Sequence, residues 1–404
     1  MATVPRILTY QDVPVWRHVQ VIQWAVQIVS AVVSVTLVVW FLVNVGQAID
    51  HRDIPYGFSF LSREYQTPIG EHFIPYESSD TFLYALLVAS TNTVIVAVAG
   101  VILAILLGVF IGVARLSTNW LVAKLALGYI EFFRNVPLLV QLLFWFFIIL
   151  SLPPVREGYV IGGWLYINNG GVSFPWPHAP SIIAALVWAA AAAGAVLAGW
   201  AVDSRLSRRE ILTGKASYPF ISGVAVAILI GGAAWLVIGS LAGNSPLFIS
   251  VPEPQGRFGQ IGGGFTARAG LLVLLIGLVM YTAAFIAEIV RAGIQSVSRG
   301  QTEAARALGL STMETLRRVV FPQALRVIIP PLISQCLNLT KNSSLGGAVG
   351  YTDLTNVALT MTQTAPAISI FMLIMAAYLA MSLSWSLVGN LYNRTTEFGR
   401  RRGR

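Results

Sequence analysis

The chain has 404 residues, of which 56% are hydrophobic and 11% charged, with a formal net charge of +9. That composition excludes an ordinary soluble domain and points to several membrane spans, with the positive excess gathered in loops on one side rather than on a nucleic-acid-binding face. One Cys (Cys336, in an apolar stretch) and four His leave no disulfide framework and no metal cluster to propose, and no G-x-x-x-x-G-K-[ST] phosphate loop occurs anywhere.

Residues 1–20 are polar and carry Arg6 and Arg17. The apolar stretch 21–45 is long enough for a bilayer of ~30 Å and too long for a signal-peptide core, so it reads as a retained first span. An acidic loop follows at 46–80, with Asp50, Asp53, Glu64, Glu71, Glu77 and Asp80 against two Arg. The second span, 81–114, has Gly100, Gly108 and Gly112 spaced for close helix packing. Arg115 and Lys124 come next, and Pro137 marks a break where the third span, 136–152, begins; Arg134 can snorkel to the interface there.

Residues 153–180 form a loop rich in Pro, Gly and Trp, suited to a membrane surface. Spans at 181–202 and 219–241 make a hairpin, with Arg205, Arg208, Arg209 and Lys215 between them, and a second Gly/Pro loop occupies 242–267. The sixth span starts near Ala269 and its helical pattern continues to 297; Glu288 and Arg291, three apart, pair on one face. The seventh, 322–340, contains Pro330 and Pro331 and is expected to bend. It ends in the polar run Gln335, Asn338, Thr340, Lys341, Asn342, Ser343 and Ser344, and the eighth span is 367–392. Irregular polar backbone at membrane depth is tolerated only where it lines a cavity or is buried in protein. Gln335, Asn338, Lys341, Asn342 and Ser343, with Gln141 from the third span, are therefore candidates to line a substrate path. Lys341 either meets a substrate carboxylate or snorkels from a helix end.

Between the sixth and seventh spans lies GQTEAARALGLSTMETLRRVVFP, residues 300–322. It reads as a helix capped by Thr302, a left-handed turn at Gly309, a capping box of Ser311 and Glu314, and a second helix leading to Pro322. Glu303-Ala304-Ala305, three residues, Gly309, nine residues, then Val319-Val320-Phe321-Pro322 closely resembles the EAA loop of ABC-importer permeases, with Val319 and Phe321 in place of Ile and Leu. Three further segments, YIEFFRNVPLLVQ, YTAAFIAEIVRAGIQS and LTKNSSL, resemble the permeases for polar amino acids (histidine/glutamine type). Asn135 and Val136 stand where that family has Gly and Thr. The extra hairpin and the length resemble the large permease subunits of the general L-amino-acid importers of Gram-negative bacteria.

The resemblance covers residues 81–152 and 266–395. It implies an all-α polytopic membrane protein with a type I ABC-importer permease core of five helices. Residues 1–80 add a transmembrane helix and a periplasmic loop, 153–265 an inserted loop and hairpin, and 396–404 a basic tail. It further implies a coupling helix at about 300–316 that docks on a cytoplasmic ABC ATPase dimer. Gly300, Glu303, Ala304, Ala305 and Gly309 carry that contact, with Ala304 and Ala305 at the close approach and Glu303 at the rim. ATP and Mg belong to that partner; this chain carries no cofactor and is no enzyme. A sister permease, a periplasmic amino-acid-binding protein and an L-amino acid complete the assembly.

Eight spans put both termini on one side. Nineteen Lys and Arg fall on that side, including the elbow and the five tail Arg, against six opposite, which places the termini and the elbow in the cytoplasm. A secondary transporter or channel is the competing reading. It needs ion-coupling charges inside the bundle, and Glu288 is the main intramembrane acid.

Overall fold

The computed structural model describes residues 9–10, 13–14, 19–214, 216–255 and 260–401; Arg6, Arg17, Lys215, Arg257, Arg402 and Arg404 of the charge argument lie outside them. After a short pairing of β1 (Thr9–Tyr10) with β2 (Val13–Pro14), α1 (Val19–His51) stands apart, with none of its residues buried. Its 33 residues extend about 50 Å at 1.5 Å each, more than a bilayer needs.

The loop from 52 to 81 is not free. Phe60, Tyr65 and Ile69 are buried in one apolar cluster with Phe82, Leu354, Met361 and Ile370, and the Phe60 and Phe82 rings meet edge-on at 5.4 Å. Thr81 then caps α2 (Phe82–Ala114), its hydroxyl accepting from the Tyr84 N–H at 3.3 Å. Helix α2 packs along α7 (Ala269–Gln295), and the expected small-residue seam is there. A Cβ on Gly108 would stand 2.6 Å from Ile286 Cβ, and one on Gly112 2.7 Å from the Ala287 carbonyl oxygen, so only glycine permits this approach.

The third span departs from expectation. A 16-residue helix, α3 (Trp120–Asn135), capped by Asn119, precedes α4 (Leu138–Leu150), and the two meet at 105°. Thirteen residues of α4 cover only about 20 Å, too short to cross alone. Among the described residues seven helices are long and apolar enough to span a membrane, and the bent pair, taken as one span, makes an eighth.

The two Gly/Pro loops fold into short antiparallel strands that the sequence reading left as loops. These are β3 (Tyr159–Ile161), β4 (Leu165–Asn168), β5 (Gly171–Phe174), β6 (Trp176–His178), β7 (Phe248–Ser250), β8 (Glu253–Gln255), β9 (Gln260–Gly262) and β10 (Phe265–Arg268). They form a sheet in the order β10-β5-β4-β3, plus the pairs β6-β7 and β8-β9. The β5–β10 pairing joins loops on either side of the hairpin α5 (Ile182–Thr213) and α6 (Pro219–Ala242). The 52–81 loop joins them, through Arg268 Nη1 donating to the Gly70 carbonyl at 2.6 Å and Phe73 stacked on Phe265. Three loops thus meet on one side, as the span count requires. The hairpin packs on itself, where a Cβ on Gly199 would come within 2.4 Å of the Gly223 carbonyl oxygen.

After α7 come α8 (Arg299–Ala307), α9 (Thr312–Thr315), a π-turn Leu316–Val320, α10 (Phe321–Asn342), a 3-10 turn Ser343–Val349, α11 (Leu354–Met361) and α12 (Ala367–Arg401). Helix α7 lies at the centre, against α2, α3, α4 and α10, and α12 packs on α10 and α11. Leu142, Leu274, Leu278, Ile286, Ile328 and Leu339 fill the core between them.

Candidate coupling elbow and polar path

The elbow is built from local rules. Helix α8 starts at Arg299, three residues ahead of Thr302, which therefore lies inside the helix and does not cap it; no side chain caps this end. Gly309 has φ +79°. Its N–H donates to the Arg306 carbonyl at 2.9 Å, and the Leu310 N–H to the Ala305 carbonyl at 3.2 Å, the paired bonds of a Schellman ending. The expected capping box follows: the Ser311 hydroxyl accepts from the Glu314 N–H at 3.3 Å, and Glu314 Oε2 accepts from the Ser311 N–H at 3.1 Å. Arg318 lies 3.6 Å from Glu314 Oε1.

From Thr312 the chain stays helical through the π-turn into α10. Pro322 cannot donate to the carbonyl four residues back and its ring crowds it, and a widened turn just before it relieves that conflict. Gln323 Nε2 donates to Gln301 Oε1 at 3.3 Å and ties α8 to α10.

The outward face differs from the expected one. Glu303 and Ala304 are exposed, as are Gly300 and Gly309, but Ala305 is 4% exposed and packs inside the elbow. Leu308, one turn on from Ala304, is instead 82% exposed, and Met313 on α9 is 71% exposed, two large apolar side chains left open on a polar elbow.

The polar run also differs. It is regular helix to Asn342; irregular backbone begins only at Ser343. The helix sorts the residues by face: Ser334, Asn338 and Lys341 form an exposed stripe, Gln335 and Asn342 are half-buried, and Cys336, Leu339, Thr340 and Ser343 face the core. Ser343 is satisfied by donating to the Thr340 carbonyl at 2.7 Å, so it does not line an open path. Gln141 is 3% exposed, with its Oε1 buried and unpartnered beside a small apolar cavity. Its Nε2 donates to the Phe133 and Val136 carbonyls at 3.0 and 2.9 Å, holding the last turn of α3 against the start of α4. The amide fixes the 105° bend.

Glu288 and Arg291 form the expected pair, Arg291 Nε donating to Glu288 Oε2 at 3.0 Å, and Arg291 Nη1 reaches Gln295. Arg134 lies over the Phe285 ring at 5.3 Å.

A polar knot not read from the sequence holds the far end of α10. Tyr351 donates to the Asn92 carbonyl at 3.1 Å, Asn92 Nδ2 donates to the carbonyls of Glu71 and Thr352, and the Leu354 N–H donates to Thr93. Asp353 caps α11, accepting from the N–H groups of Thr355 and Asn356 at 3.1 Å. The Asp353-Leu-Thr-Asn string is a cap signal visible in the sequence.

The comparisons agree with this architecture. Residues 221–397 match the family described as binding-protein-dependent transport system inner membrane component. YhdX of Escherichia coli (strain K12) is 39% identical over 379 residues, covering 92% of this chain and 93% of that one. The general L-amino acid transport system permease protein AapQ of Rhizobium johnstonii is 41% identical over 372 residues, 91% and 90% of the two chains. The glutamate/glutamine/aspartate/asparagine transport system permease protein BztB of Rhodobacter capsulatus is 38% identical over 407 residues, 93% and 94%. Proteins of this family are permease subunits that work with an ATPase and a substrate-binding protein, and the helices here make a multi-pass inner-membrane chain. The chain therefore belongs to the family of binding-protein-dependent transport system inner-membrane components, as an amino-acid ABC transporter permease.

Proposed function

We propose that the chain carries polar L-amino acids inward, glutamate, glutamine, aspartate and asparagine or a broader set, as the permeases AapQ and BztB do by name. The observation that carries the reading is the elbow: a rigid, doubly capped turn with Ala304, Leu308 and Met313 outward, helically continuous with a span. It docks on a cytoplasmic ATPase dimer, which holds ATP and Mg; this chain holds no cofactor and catalyses nothing. Gly309 sets the turn, Glu303 sits at the rim, and Gly300 lies in the first turn of α8. The charge bias puts both termini and the elbow in the cytoplasm.

Ser334, Asn338 and Lys341 make a polar stripe on a span, which lipid cannot solvate. A sister permease, different from this chain, covers it, and Gln335, Asn338, Lys341 and Asn342 line the path between the two. The domain limits follow: the family core occupies 81–152 and 266–395, with 1–80 and 153–265 as additions and 396–404 as the tail. Reconstituted vesicles test the reading: uptake of L-glutamine must require ATP, the ATPase and the periplasmic binding protein. Uptake driven by an ion gradient alone overturns it.

A further inference from the structure

Where the three loops meet, a cavity of about 260 Å³ opens between the 52–81 loop and the strand leading into α7. Glu71, Phe73, Phe265, Thr266 and Arg268 are among its walls. The backbone of Glu71 is pinned, its N–H donating to Thr352 Oγ1 at 3.2 Å and its carbonyl accepting from Thr352 at 2.9 Å and Asn92 at 2.7 Å. Its side chain is held far less: both carboxylate oxygens are buried without a well-formed hydrogen bond, the backbone N–H of Arg268 offering only a weak contact. Arg268 lines the same cavity, held by one nitrogen on the Gly70 carbonyl. Yet the Glu71 carboxylate and the Arg268 guanidinium do not close into an ion pair, as Glu288 and Arg291 do.

A buried carboxylate left alone is costly, and burial pushes Glu71 up to about 7 despite the attraction of Arg268. Opposite charges held apart around one small cavity match a ligand that carries both. The volume lies below the usual range for drug-sized ligands, and the stacked rings of Phe73 and Phe265 supply an apolar wall.

We propose that this cavity is a binding site for a free zwitterionic α-amino acid at the outer mouth of the permease, its ammonium on Glu71 and its carboxylate on Arg268. The Glu71 side chain, weakly held on a fixed backbone, turns onto the ammonium as the ligand enters. The proposal rests on the transport reading and adds to it a site built from the N-terminal loop and the residues preceding α7, separate from the stripe on α10.

The test uses the whole transport complex in lipid nanodiscs without the periplasmic binding protein, and radiolabelled L-glutamine as probe. Saturable binding is expected. Glu71→Gln and Arg268→Gln should each weaken it by about tenfold or more, a loss the size of one charge-assisted contact. Arg268→Lys should recover part of the loss. Neither N-acetyl-L-glutamine, which lacks the ammonium, nor L-glutaminamide, which lacks the carboxylate, should compete. Competition by blocked analogues equal to that of L-glutamine overturns the site, using wild-type protein alone. So does wild-type affinity in Glu71→Gln, or no binding at all. A complex that imports L-glutamine with ATP and the binding protein but binds none alone refutes this site and leaves the transport reading standing. A complex that fails to import removes both.

Discussion

Two glycines in the elbow separate backbone conformation from space. Neither Gly300 nor Gly309 has any atom within 4 Å of where a Cβ would stand. Gly300 lies in the first turn of α8, while Gly309 has φ +79°. Substitution by Ala should therefore act with opposite sign at the two positions. At Gly300 it gains helix propensity, up to about 1 kcal/mol. At Gly309 it forces a left-handed residue with a Cβ, costing roughly 1–2 kcal/mol, a five- to thirtyfold loss in the population of the intact turn. Gly309→Val should cost more still, since a β-branched residue at positive φ is a true outlier. Because no neighbour clashes, the loss concerns only the angle between α8 and α9, and the spans should stay folded. The assay is co-purification of the ATPase with each variant, with substrate-stimulated ATP hydrolysis in vesicles. The expected order is Gly300→Ala at or above wild type, then Gly309→Ala, then Gly309→Val. If Gly309→Val couples as well as Gly300→Ala, the turn has no part in docking and the reasoning fails.

Three further outcomes follow from particular contacts. Glu71 has a folded pKa of about 7 against an ordinary 4.5, so the folded state prefers its protonated form; that stability is full below about 4.5 and lost as pH rises through about 7. Wild-type protein should melt at a lower temperature at pH 8 than at pH 5, and Glu71→Gln should flatten that difference; equal slopes in the two proteins refute the assignment. Gln141→Leu leaves the Phe133 and Val136 carbonyls without their donor and should cost about 1–3 kcal/mol in thermal stability while sparing amino-acid preference. Asn338→Ala, on the exposed stripe, should do the reverse, read by competition uptake and melting. With Cys336 buried, labelling from outside should mark Ser62→Cys and leave Ser207→Cys unmarked until vesicles are opened; the opposite pattern inverts the topology.

What the sequence disclosed was local. The Gly309 turn and the Ser311–Glu314 box sit within a few residues of one another, and both formed as read. The α2–α7 seam was visible because Gly108 and Gly112 announce small-residue packing wherever the partner lies, and Gly100 does the same chiefly towards Leu339 of α10. Strands β5 and β10 were hidden: each is four residues, too short for an alternating pattern, and the hairpin separates them. Helix α3 escaped because Lys124, Glu131 and Arg134 break the apolar run that marks a span. The polar run read as irregular because composition ignores phase; only a regular helix puts Ser334, Asn338 and Lys341 on one face. Ala305 faces inward because the Gly309 turn folds Leu310 back over its carbonyl, a relation that identity alone does not reveal. Gln141 was conspicuous among apolar neighbours, but a lone polar residue marks a path and a hydrogen-bonded bend equally well.

The elbow joins its two spans unequally. Between α7 and α8 the helix is interrupted at Ser296 to Ser298, the ladder ending with the Ser296 N–H on the Ala292 carbonyl at 3.0 Å. Between α9 and α10 there is no interruption: the π-turn keeps the chain helical from Thr312 to Asn342. On the proposed coupling, a displacement applied to Ala304 and Leu308 would be absorbed beside α7 and passed along α10. From Phe321 to Lys341 that lever is about 30 Å long, the thickness of the bilayer core, and it ends at the polar stripe. Pro330 and Pro331 interrupt its hydrogen bonding near the midpoint, so the lever has one place to flex, between the partner surface and the polar residues. Below that point Gly293 on α7 lets Ile328 lie against it; a Cβ there would stand 2.3 Å from Ile328 Cγ1. Above it, Trp385 of α12 donates to Thr340 at 3.0 Å. The lower half of α10 is thus seated on α7 and the upper half on α12, with the proline pair between the two attachments.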